Sequence, residues 1–304
     1  MTQKISEQAV VLGTKHSLVG IMTRAVTATP SRKETVVILN TGIVHRVGHH
    51  RMFVTLSRAL AGIGFNTLRF DFSGIGDSEA RTDGRLPLDS ALADLKEVLD
   101  WLERERGVSR VVLVGLCSGA DHAILYGHSD PRVVALVLMD PSIPTTVRFY
   151  ARYILRHLTR VRSFINVALG RSGLLRLWMG EFFFGFRSNA NVLPDSLVGL
   201  RFHKYLKESY RSTIASGAQI LAVFTGDLTR QTYREQMLEA LPGVVFGSQL
   251  TLEFLSSSDH LFTSEKDRVW LIDIILDWII LTNSHPEARP AAAHKPGAQI
   301  STVG

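Results

Sequence analysis

The apolar positions of the first 140 residues alternate between two periods. Residues 36–39 (within a strand predicted over 35–40), 111–114 and 133–139 are continuous apolar runs rich in β-branched side chains, the pattern of strands buried on both faces. Between them the spacing becomes helical. Phe53, Leu56, Leu60 and Ala61 share one face of residues 51–62, and Leu92, Leu95, Val98, Leu99 and Leu102 one face of residues 89–105. Shorter strands are predicted over 7–12, 18–27 and 66–70, and a helix over 118–126. Strand and helix alternating in this way predict a mostly parallel central sheet flanked by helices.

The alternation breaks after the sixth strand. Residues 141–215 read as mostly helical, and strands return only at 219–224 and 250–255, each followed by a helix (232–240 and 264–281). A helical insertion at this point predicts a lid over the carboxyl edge of the sheet, where such folds bind ligands. The expected organisation is a core of residues 1–140 and 216–283, a helical lid over 141–215, and a disordered C-terminal tail over 284–304, rich in Pro and Ala.

Composition narrows the picture. Apolar residues make up 45% of the 304 and charged residues 20%, as in ordinary globular proteins. A single cysteine excludes an internal disulfide. The first ten residues lack the apolar run of a signal peptide, and Asp273 and Asp277 interrupt the apolar stretch 269–281, which is too short to span a bilayer. The expected location is the cytoplasm, with room for peripheral membrane contact. The net charge of +6 favours anionic ligands, yet neither zinc-finger spacing nor an aromatic-bearing RNA-binding strand accompanies it, so nucleic acid is not an expected partner.

The chemistry centres on Gly115-Leu116-Cys117-Ser118-Gly119, which joins a β-branched strand to a helix. Flanking glycines permit a sharp strand-to-helix turn that lifts the central side chain above the sheet, and the helix N-terminus there favours a thiolate. Cys117 is thus the expected nucleophile. Where such an elbow occurs the partners follow in chain order, acid and then histidine. Asp227, after the seventh strand, is the first choice for the acid, with Asp140, at the end of the sixth, as the alternative. His260, after the last strand, is the expected histidine. The N–H groups of Ser118 and of Ile43, in the loop after the third strand, are the expected oxyanion donors. His45, His49 and His50 lack the acidic or cysteine partners of a metal site, so no metal is expected. The loop Asp71-Phe72-Ser73-Gly74-Ile75-Gly76-Asp77-Ser78 lacks the Gly-Lys-Ser/Thr of a phosphate loop. Its expected role is structural, and no cofactor is expected.

Asn40-Thr41-Gly42, the segment Arg69 to Ser78 and the elbow resemble the α/β hydrolases of serine-aminopeptidase-like type. The run His45-Arg46-Val47-Gly48-His49-His50-Arg51-Met52-Phe53, with Gly115-Leu116-Cys117 and Gly226-Asp227-Leu228-Thr229, is similar to the exosortase A system-associated hydrolases, which also carry cysteine at the elbow. The resemblance covers roughly residues 8–281 and departs at Ser118, where that family often has an acidic residue. It implies an α/β-hydrolase fold and the assignment Cys117, Asp227 and His260, and it names no substrate.

Within the lid, Arg148, Arg152, Arg156 and Arg160 recur every four residues, and Trp178 lies in an apolar stretch. A solvated helix face is one reading of this stripe. The other is a substrate site in which Arg152, Arg156 and Trp178 meet an acidic carrier protein, an anionic lipid headgroup or an acyl chain. The expected reaction is cleavage of an ester or thioester through an acyl-enzyme. Transfer to an acceptor other than water is the alternative within that class, and a non-catalytic accessory role in lipid or polysaccharide metabolism the alternative outside it.

Overall fold

The structure, a computed structural model, describes residues 5–13, 17–25, 32–149, 151–152, 195–226 and 231–283. Eight strands form one sheet: β1 (Ile5–Leu12), β2 (Leu18–Ala25), β3 (Thr35–Ile38), β4 (Asn66–Phe70), β5 (Val111–Leu116), β6 (Val133–Met139), β7 (Gln219–Thr225) and β8 (Leu250–Leu255). Their order is β1-β2-β4-β3-β5-β6-β7-β8. The pairs β1/β2 and β2/β4 are antiparallel, and every pairing from β4 through β8 is parallel. The helices are α1 (Met52–Gly62), α2 (Pro87–Arg106), α3 (Ser118–Gly127), α4 (Asp195–Ala215), α5 (Gln236–Ala240) and α6 (Glu265–Asn283).

The apolar runs are continuous because both faces of the central strands are covered. Along β5, Val111 and Leu113 point into a core shared with Leu95 and Leu99 of α2, Ile124 of α3 and Tyr210 of α4. Val112 and Val114, offset by one residue, point into a second core with Phe53 and Leu56 of α1 and Leu271 and Ile275 of α6. Each of these side chains is at most 1% exposed, and such burial contributes roughly 1.5–3 kcal/mol per large apolar side chain.

Helix α4 falls within the stretch read from the sequence as lid, yet it packs Leu206 and Tyr210 into the first core and lies against α3. The expected tail, and residues 153–194 of the expected lid, lie outside the described residues. Strand β3 ends two residues earlier than the strand predicted over 35–40. Leu39 N–H still bonds the Val114 carbonyl (2.9 Å), after which Asn40 turns away from the sheet. Because β4 returns on one side of β3 while β5 lies on the other, the loops after β3 and β5 part at their carboxyl ends. This crevice is where open α/β sheets place their ligands, and the elbow cysteine stands in it.

Candidate active site

Cys117 occupies the turn between β5 and α3 with φ 56° and ψ −120°, a backbone conformation that L-residues rarely adopt. The turn is held by Cys117 N–H on the Met139 carbonyl (2.9 Å) and by Asp121 N–H on the Cys117 carbonyl (3.1 Å). Its two glycines are required by close approach. A Cβ on Gly115 would lie 2.2 Å from the Gly119 carbonyl carbon, and one on Gly119 would lie 2.4 Å from the Asn40 carbonyl oxygen. Both contacts are with backbone, which cannot swing aside.

His260 hydrogen-bonds Cys117 and places Nδ1 2.8 Å from Asp140 Oδ2. The bond to Asp140, then that to Cys117, pushes the imidazole up to about 10 against the opposing effect of burial. Asp140 is held in turn from β7, because Thr225 donates its backbone N–H to Oδ1 (2.7 Å) and its hydroxyl to Oδ2 (2.6 Å). The aspartate is buried, has positive φ (44°), and follows directly on β6. The next turn is braced against α3, where Asp121 accepts from Ser142 N–H (2.7 Å) and Ser142 Oγ (2.6 Å). Asp227, the first choice from sequence, lies outside the described residues. The carboxylate the structure sets against His260 is that of the alternative, Asp140. Thr225, Asp121 and Ser142 went unread, because their partners are distant in sequence and no local motif marks them.

The loop after β3 forms a tight turn in which Val44 N–H bonds the Thr41 carbonyl (2.9 Å), with Ile43 on its outer side and 92% exposed. Gly42 N–H donates to Ser118 Oγ (2.7 Å), so the hydroxyl of the elbow serine ties this loop to α3. From below, Asn40 Nδ2 donates to the Val44 carbonyl (2.9 Å) and to Asp71 Oδ1 (3.2 Å), and Asn40 Oδ1 accepts from Phe72 N–H (2.7 Å). Fully buried Asp71 also pairs with Arg46, which bonds Asp77 (2.5 Å). The 71–78 loop thus acts as a buckle under the loop after β3.

Burial lowers the pKa of His49, and the nearby charges of His50 and His260 lower it further. Among the described residues no group of three or more His, Cys, Asp or Glu side chains is placed to hold a metal ion, and no helix is long and apolar enough to cross a membrane. Arg148 and Arg152 both stack on the Tyr233 ring, with guanidinium-to-centroid distances of 4.5 and 4.8 Å. Arg148 also pairs with Glu239 (2.9 Å), and Arg152 donates to the Thr232 carbonyl (3.2 Å). These two arginines therefore clamp residues 148–152 to α5 and to the segment before it. Arg156 and Trp178 lie outside the described residues.

Residues 32–180 match the family model described as serine aminopeptidase, S33. No curated protein sequence matches the chain. Among solved structures it is similar to an esterase from Pyrococcus furiosus (17% identity, 91% of each chain covered, TM-score 0.57). It is also similar to an α/β serine hydrolase homologue from Coxiella burnetii (16% identity, 90% of this chain and 97% of that one, TM-score 0.55). A third similar structure is a lidless α/β serine hydrolase from Xanthomonas campestris (14% identity, 95% and 97% covered, TM-score 0.55). At these identities the structures speak for the fold. With the eight-stranded sheet, the elbow and the match over residues 32–180, the chain has an α/β-hydrolase fold and is similar over those residues to the serine aminopeptidase, S33 family.

Proposed function

We propose that this protein is an esterase- or thioesterase-type hydrolase working through a covalent acyl-enzyme on Cys117, with His260 and Asp140 as its partners. The observation that carries this reading is the chain of contacts Cys117–His260–Asp140 at a strained elbow. A histidine bonded to both a carboxylate and a thiol, with its pKa near 10, favours an imidazolium beside a thiolate at neutral pH.

The thiolate Sγ attacks the ester or thioester carbonyl carbon, and the C=O electron pair moves onto oxygen. The N–H groups of Ser118 and Ile43 hold that oxyanion. On collapse the bond to the leaving oxygen or sulfur breaks, and the His260 proton goes to the leaving group. The acyl group is now a thioester on Cys117. Neutral His260 then takes a proton from water as its oxygen attacks the thioester. Collapse breaks the C–S bond, releases the acid and restores the ion pair. Asp140 keeps the imidazole in its productive tautomer and stabilises its charge.

The test is intact-protein mass after mixing wild type and Cys117→Ala with short acyl thioesters and esters. An acyl adduct on wild type alone is the expected result. Equal labelling of both proteins, or no adduct and no turnover with any donor, would remove the reading.

A further inference from the structure

The chemistry divides the space around Cys117. In the proposed mechanism the leaving group takes its proton from His260, whose side chain lines a cavity of about 550 Å³ with Asp140 and Thr225. The carbonyl oxygen faces the loop donors. A second cavity of about 490 Å³ runs from Gly42 and Ser118, the residue after Cys117, to the start of α2. Phe72, Ile75, Leu88 and Ala91 give it an apolar wall. Arg81 and Arg85 at its edge are already committed to carboxylates, Arg81 to Asp83, Asp94 and Glu97, and Arg85 to Asp83.

A histidine also lines this cavity. It is His122, one turn along α3 from Ser118, with Phe72 packed edge-on at 5.3 Å between ring centroids. Its Nδ1 is buried and has no hydrogen-bond partner among the described residues. Burial lowers the imidazole to about 4, so the ring is neutral at physiological pH and carries one proton. A buried N–H without an acceptor is rarer and costlier than a buried lone pair without a donor. The proton therefore belongs on Nε2, and Nδ1 keeps its lone pair in the packed interior.

We propose that this second cavity takes the acyl group and that His122 Nε2–H is a donor within it, selecting acyl groups that carry an acceptor oxygen one helical turn from the reacting carbonyl. The inference rests on the reading of Cys117 as nucleophile and adds to it the class of acyl group. The rise from Ser118 to His122 is about 6 Å, or roughly four to five bonds of an extended chain. The matching acyl group is oxygenated near its fifth carbon, whereas a plain alkanoyl chain leaves the His122 donor unpaired. A neutral hydrogen bond of this kind changes a rate by on the order of tenfold.

The experiment compares acylation of Cys117 by the N-acetylcysteamine thioesters of 5-oxohexanoic and hexanoic acids, followed by intact mass. Wild type is expected to react about tenfold faster with the 5-oxo donor. His122→Leu is expected to bring the ratio of the two rates close to one, while His122→Gln, which keeps a side-chain N–H, retains part of it. Adducts forming at equal rates in wild type would overturn this inference and leave the nucleophile assignment standing. So would a preference that survives in His122→Leu. No adduct from either donor, or from any other acyl donor, would overturn both.

Discussion

Asp140 Oδ2 lies 2.8 Å from His260 Nδ1, joining residues 120 positions apart across the ends of β6 and β8. The aspartate does not reach out on a loop. It sits at the strand end with positive φ, fixed by two hydrogen bonds from Thr225, so its orientation is set before any ligand arrives. An imidazole oriented by so rigid a carboxylate keeps one tautomer.

Replacing that carboxylate is the sharpest test of the constellation. Asp140→Asn keeps the shape but removes the charge, and the His260 ring loses the largest contributor to its raised pKa. The expected loss in kcat is on the order of a thousandfold. Asp227→Asn is expected to stay within about threefold, a difference well under 1 kcal/mol. Steady-state kinetics on both variants decide the matter. The opposite ranking would return the acid's role to Asp227.

The pH dependence follows from the same contact. His260 is raised from 6.5 to about 10 by Asp140 and then by Cys117. A group whose folded pKa is raised stabilises the fold fully below its unfolded value and loses that contribution as pH rises through its folded value. The imidazolium contribution is thus complete below pH 6.5 and lost as pH climbs through about 10. Acylation should hold level through neutral pH and fall towards pH 10, as the proton destined for the leaving group disappears. Ring-proton NMR of His260 across pH 5–11 reads the midpoint directly, and a midpoint near 6.5 would sink the ion-pair account.

Some of this site could be read along the chain and some could not. Gly115-Leu116-Cys117-Ser118-Gly119 was legible because a strained turn with two backbone close approaches leaves few choices of residue at its flanks. His260 was legible from chain order alone. Asp140 was harder, since a strand-end aspartate has no local signature, and what marks it is a pairing with Thr225 that lies 85 residues away. The role of the Ser118 hydroxyl is not legible, because its partner, Gly42 N–H, is a backbone group that no side-chain pattern reveals. Helix α4 was grouped with the insertion by its helical period, which reports amphipathicity but not which surface the apolar face meets.

Ser118→Ala removes the acceptor for Gly42 N–H and frees the loop that carries Ile43. Asn40 and Asp71 still hold that loop from below, so the fold should survive with its melting temperature nearly unchanged. In the proposed mechanism what suffers is the alignment of the Ser118 and Ile43 N–H donors, which matters most in the transition state. The expected signature is a kcat lowered by about tenfold with KM little altered. An unchanged kcat would mean that the loop needs no tie to α3, and a raised KM alone would indicate that Ser118 meets substrate directly.

Asp71 offers the complementary case, in which stability rather than alignment gives way. Its buried carboxylate accepts from Asn40 and pairs with Arg46, whose side chain is only 16% exposed. Asp71→Asn keeps the volume yet leaves the Arg46 guanidinium with Asp77 alone, a partner 66% exposed and well screened by water. Breaking a buried pair from one side typically costs 3–5 kcal/mol, and the remaining contact with Asp77 should hold the loss to about 2–3 kcal/mol. Urea unfolding of the two proteins measures the difference. The double variant Asp71→Asn/Arg46→Met, which removes the stranded charge as well, should recover part of it. A single variant as stable as wild type would mean that the 71–78 loop does not buckle the loop after β3 in place.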